Sequence, residues 1–160
     1  MELPNGDFAF SIARLLLVSA FVDPLWRASI VSSDPTVAAI AAKAEKETAY
    51  HLRHAGEWLI RLGDGTDESH RRAQAAIDSL WPYAGELFET PAGGTAFADA
   101  STLRDTWIES VDNILSRATL VRPPDGWMQS GGRSGRHTEH LGYLLVEMQF
   151  LQRAYPGATW

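Results

Sequence analysis

Apolar residues recur at alternating three- and four-residue steps along almost the whole chain, and Gly and Pro cut that pattern into five stretches. This is the signature of helices that each bury one stripe, while the every-second-residue alternation of a strand is absent. The first predicted helix follows Pro4-Asn5-Gly6, takes Asp7 as N-cap and carries Phe8, Ile12, Leu15, Ser19, Val22 and Trp26 on one stripe, with a kink expected at Pro24. Asp34 caps the second, Pro35 opens it, and its stripe reads Val37, Ala41, Ala44, Thr48, His51, Ala55, Trp58, Leu62 before Gly63-Asp64-Gly65. The third starts at Thr66, with Asp67 and Glu68 in its positive first turn, and reads His70, Ala73, Ile77, Leu80, Ala84, Leu87, bent at Pro82. After a loop at Pro91-Ala92-Gly93-Gly94, the fourth reads Leu103, Trp107, Val111, Ile114, Ala118 and stops at Pro123-Pro124. The fifth reads His137, Leu141, Leu144, Met148, Leu151, Tyr155 up to Pro156-Gly157. The expectation is an all-α bundle forming a single domain, residues 1–160.

Composition narrows the chemistry. With 160 residues, 45% of them hydrophobic, the chain can bury one sizeable core. A net charge of -6 without a basic run repels nucleic acid and anionic membrane. The absence of cysteine excludes disulfides, thiolate metal sites and a thiol nucleophile, and fits the cytoplasm. The most apolar run, Leu15 to Val22, is closed by Arg14 and Asp23, too short to span a bilayer, and no secretory pattern opens the chain.

Function in a bundle is built from inward polar side chains, so Ser19, Thr48 and His51, which interrupt the stripes, are the informative positions. A carboxylate-bridged di-iron site needs Glu-x-x-His on two helices and further carboxylates to balance two cations. Thr48-x-x-His51 keeps that spacing and lacks the carboxylate, so a histidine hydrogen-bonded inside the core is expected in place of a metal ligand. Glu47, His51 and His54 at i, i+4, i+7 also suit one ion, although Lys43, Lys46 and Arg53 make a solvated charged face the stronger reading. His137-x-x-His140 with Glu147 reads more readily as a polar cluster or helix cap than as a cation site, and no hydrolase triad or elbow is legible.

The loop Ser130-Gly131-Gly132-Arg133-Ser134-Gly135-Arg136 is cationic and leads into the fifth helix, whose first N–H groups would attract an anion. Arg133, Arg136 and His137, with Trp127 nearby, are therefore candidate contacts for an anion or a partner, though the loop lacks the phosphate-loop pattern.

Five separate stretches carry a resemblance: Pro-Asn-Gly-Asp-Phe-Ala (4–9), Tyr-His-Leu-Arg-His (50–54), Arg-Leu-Gly-Asp-Gly-Thr (61–66), Leu-Trp-Pro-Tyr (80–83) and Gly-Arg-His-Thr-Glu-His-Leu-Gly-Tyr-Leu-Leu (135–145). In that order they resemble the non-catalytic subunits of ring-1,2-phenylacetyl-CoA epoxidases, over nearly the whole chain. The resemblance implies a ferritin-like fold, a role in phenylacetate catabolism and a homologous catalytic partner that carries the di-iron centre. Catalytic relatives read Lys-Glu-Glu-x-x-His where this chain reads Lys46-Glu47-Thr48-Ala49-Tyr50-His51, and Ser19 stands where another carboxylate is expected. Thr48, His51 and Ser19 are then vestiges of a metal site, and no cofactor is expected in this chain.

The same resemblance implies about two further core helices before Met1, so the bundle is expected to be incomplete at its N-terminus. An apolar groove beside Ser19, Thr48 and His51 should then lie open or be filled by another copy, with Phe8, Ile12, Leu15, Leu16, Leu52 and Trp58 exposed and self-association, collapse into a non-native bundle or aggregation as the alternatives that follow. Two other functions remain open. One is an iron oxygenase using Glu47, His51 and His140, and the other is a CoA-binding module that holds phosphates with Arg133 and Arg136.

Overall fold

The computed structural model describes residues 2–90 and 95–159. The predicted loop at Pro91-Ala92-Gly93-Gly94 lies outside the described residues. Six α-helices are present, α1 Phe8–Ser29, α2 Pro35–Gly63, α3 Asp67–Leu80, α4 Arg104–Arg117, α5 His140–Met148 and α6 Phe150–Ala154, with no strand among the described residues. The chain is thus an all-α bundle, as expected.

The helix starts follow the local chemistry closely. The Asp7 carboxylate accepts from the Phe10 N–H, and that of Asp34 accepts from both Thr36 and Val37, so each satisfies amides that have no partner within the helix. At α3, Thr66 and Ser69 bond reciprocally to each other's backbone N–H. Ends are less regular. The third predicted helix does not bend at Pro82; it stops at Leu80 and continues as two 3₁₀ turns, Trp81–Tyr83 and Gly85–Phe88, because Pro82 supplies no N–H to an α ladder. The fifth begins three residues later than expected and is divided at Gln149 into α5 and α6. α1 runs through Pro24.

α1 lies at the centre of the body, packed by α2, α3, α4 and the 3₁₀ turn Ala100–Leu103. Ile12, Leu16, Leu17 and Phe21 of α1 meet Leu59 of α2, Ile77 and Leu80 of α3, and Trp107, Val111 and Leu115 of α4. Ile12 and Leu16, expected to be exposed in a half-built bundle, are therefore core residues, because α3 and α4 cover them. At 22 residues α1 is long and apolar enough to cross a membrane, more than its central run suggested, and half of its most apolar window is buried against its neighbours. The Trp107 indole N–H donates to the Leu17 carbonyl at 2.9 Å. Trp81 and Phe88 pack on the Trp107 ring with centroids 5.2 and 5.3 Å away, spacings at which aromatic pairs add to simple burial.

Close approach of α2 to the end of α4 depends on Gly63, where an added Cβ would sit 1.9 Å from the Ala118 carbonyl oxygen. Gly63→Ala should therefore cost about 2 to 3 kcal/mol by overpacking. Gly126→Ala, where a Cβ meets nothing within 4 Å, should stay within about 0.5 kcal/mol of wild type when both variants are unfolded in urea.

Candidate functional site

The buried face of α2 runs through Ala41, Ala55, Leu59 and Gly63, with Thr48 and Leu52 half-buried along it. Thr48 does not reach outward: its hydroxyl donates back to the carbonyls of Ala44 and Glu45, both at 3.1 Å. Ser19 on α1 is buried. His51, expected inside the core, is exposed. At about 100° per residue it falls past Ala55, at the edge of the buried face. Its ring lies beside Tyr50, which stacks on His54, and the aromatic row continues through Trp58 to Phe8 of α1. Arg53 and Arg61 lie over the Tyr50 and Trp58 rings. Glu47, Lys43, Lys46 and Arg53 are all exposed, the solvated charged face that the sequence pattern favours. The open apolar groove expected beside Ser19, Thr48 and His51 is not formed, because Ser19 is buried in the body, Thr48 is half-buried and His51 lies outside on the exposed face.

Sequence reasoning missed Asp23, a buried carboxylate bonded by Arg27 at 2.9 Å, with Glu45 of α2 3.6 Å from the same guanidinium. The i, i+4 spacing of Asp23 and Arg27 was the available signal. This pair borders a cleft of about 560 Å³ between α1, α2 and α4, where Arg53, Glu57, Glu109 and Arg117 give a mixed charge over Leu52 and Ile114.

The glycine loop is occupied from within the chain. Gly131 and Gly135 adopt left-handed φ of 89° and 85°, conformations that glycine takes without strain. The Gly131 N–H donates to the Glu89 carboxylate at 2.9 Å, and the Gly132 N–H donates to Glu86 at 2.9 Å. Arg133 donates to the Leu87 carbonyl, the Arg136 methylenes lie against Gly131, and Trp127 is 71% exposed. The loop does not open directly onto a helix N-terminus, as the sequence suggested, because α5 starts only at His140. Between them, His137 Nδ1 lies 2.6 Å from Glu2, and both the N–H and the hydroxyl of Thr138 donate to the same carboxylate at 2.8 Å.

A run of exposed apolar side chains follows this loop. On α5, α6 and the residue that ends α6, Tyr143, Val146, Met148, Phe150 and Tyr155 are between 55% and 72% exposed, and Leu144, Leu145 and Leu151 are also open. No residue of either helix is buried, and their substantial packing is with each other. They form an arm joined to the body through residues 129–138. Eight large apolar side chains on so short a segment exceed the scattered exposure of an ordinary surface, which makes the arm the candidate site for an interaction.

The fold is an all-α body with an exposed apolar C-terminal arm, and the chain belongs to a family described as phenylacetic acid catabolic protein, whose model matches residues 1–160. The C component of the 1,2-phenylacetyl-CoA epoxidase of Escherichia coli (strain K12) is 44% identical over 166 aligned residues, which cover 100% of this chain and 67% of the relative.

Burial alone would raise the Glu2 pKa, but the two hydrogen bonds from Thr138 and the contact with His137 outweigh it and hold the group below its ordinary 4.5. Tyr83, Glu86, Arg133, Arg136 and His137 line the same small pocket. A depressed carboxyl stabilises the fold fully above the unfolded pKa, and that contribution is lost as pH falls through the folded value. Carbon NMR of the Glu2 carboxyl should give a midpoint below 4.5, moving upward in Thr138→Ala; a wild-type midpoint at or above the ordinary value would contradict the geometry.

Proposed function

We propose that the chain is a non-catalytic, structural subunit of a 1,2-phenylacetyl-CoA epoxidase complex, working in the cytoplasm in aerobic phenylacetate catabolism. In this role it scaffolds a homologous catalytic subunit that holds the di-iron centre and inserts oxygen into the CoA-activated ring. The observation that carries the reading is the α5–α6 arm, whose apolar side chains are left for a partner to cover. The likeness to a component of the bacterial epoxidase supplies the kind of complex. Thr48 supports the non-catalytic role, since a hydroxyl bonded to its own helix stands where a ligating carboxylate is needed. The iron-oxygenase and CoA-module readings have less support: His51 and Glu47 face solvent, and the loop amides beside Arg133 already hold Glu86 and Glu89.

Co-expression with the catalytic subunit tests the proposal. The two chains should co-elute in gel filtration, and Leu144→Asp with Leu151→Asp should weaken the complex by about 30-fold per residue, as expected for anchors worth about 2 kcal/mol each. Unchanged co-elution of the double variant, or stoichiometric iron in this chain that is lost in His51→Ala, would overturn it. Elution of the isolated chain as a dimer that the same two substitutions dissolve would assign the arm to self-association.

A further inference from the structure

We propose that residues 129–138 form a hinge latched to the body by the carboxylates of Glu2, Glu86 and Glu89, and that this latch sets the direction in which the α5–α6 arm presents its apolar surface. The inference rests on the reading of the arm as a docking element, and adds how that element is aimed.

Three facts carry it. The arm has little packing of its own on the body, so its direction is not fixed by a core. The segment before it is instead fixed by polar contacts from distant parts of the sequence. Glu89 and Glu86 take the amides of Gly131 and Gly132 from 42 and 46 residues away, and Glu2 takes both Thr138 donors from 136 residues away. Hydrogen bonds to an ionised acceptor are the stronger kind, and here each one closes a long loop. Finally, Gly131 and Gly135 place two left-handed turns within five residues, with Arg136 N–H returning to the Gly131 carbonyl at 2.9 Å. Short turns of this kind absorb the backbone rotation of a hinge.

The latch therefore has two ends. Glu86 and Glu89, in and just after the 3₁₀ turn Gly85–Phe88, hold the glycines just after Gln129, whose own N–H donates to the Pro82 carbonyl at 2.8 Å, and Glu2, ahead of α1, holds the exit toward α5. Released at both ends, the arm keeps its helices but loses its direction, so a partner would have to select one orientation out of many and would bind more weakly.

The chain has no cysteine, so a spin-label pair at Ser101→Cys and Gln152→Cys, both exposed sites, reports the arm-to-body distance in the full chain. A second pair at Ser79→Cys and Ser101→Cys reports the body alone. The latched chain should give one narrow arm distance by pulsed dipolar spectroscopy. Glu2→Ala with Glu86→Ala and Glu89→Ala should widen that distribution by about twofold or more, as for a released hinge, while leaving the body distance and the helical circular dichroism unchanged. A broad arm distance in wild type, a narrow one in the triple variant, or equal broadening of the body pair would each overturn the proposal. Because no partner is present, its failure is separable from a failure of the arm to dock.

Discussion

The fold depends on α1 being enclosed on nearly all sides. Ten of its residues are buried, more than one amphipathic stripe provides, so it serves as the shared interior against which α2, α3 and α4 each lay one face. Trp107 locks this arrangement: it is 1% exposed, its ring closes the aromatic stack with Trp81 and Phe88, and its one polar atom is satisfied by Leu17 of α1. A buried indole without that acceptor would forfeit about 1 to 3 kcal/mol. Small residues complete the constraint, since Ala13, Ala55, Ala73 and Gly63 let the backbones approach closely.

The arm is built on the opposite principle. Its sequence is as apolar as a core helix, yet none of its residues is buried, and among the described residues polar contacts in the preceding loop tie it to the body. A core helix resists reorientation because each rotation breaks dense packing. An arm held through hydrogen bonds of its preceding loop, those to Glu2, Glu86 and Glu89 foremost, resists it only as far as those bonds do. The division leaves a core built from α1 to α4 beside an arm whose apolar side chains stay exposed.

Helix starts were legible because they are local: an aspartate or threonine at the cap bonds amides two or three residues ahead, as at Asp7, Asp34 and Thr66. The inward face of α2 was harder. Many of its positions are alanine, which gives the apolar stripe little weight, and a small error in phase placed His51 inside when it lies at the edge. The exposure expected for Ile12 and Leu16 assumed that α1 packs only as half of a four-helix core, whereas α3 and α4 also fold onto it. The family motifs identified the protein class correctly. The carboxylates that fill the glycine loop could not be anticipated, because Glu86 and Glu89 meet it across more than 40 residues of sequence and no periodicity records such a contact.

A body packed around α1 and an arm outside that packing are distinguished most directly by hydrogen exchange on the isolated chain at neutral pH. Amides of α1 and α4 around Leu17 and Trp107 should exchange slowly, close to the limit set by global unfolding, while those of α5 and α6 exchange orders of magnitude faster. Protection of α5 and α6 equal to that of α1 in the isolated chain would contradict the account.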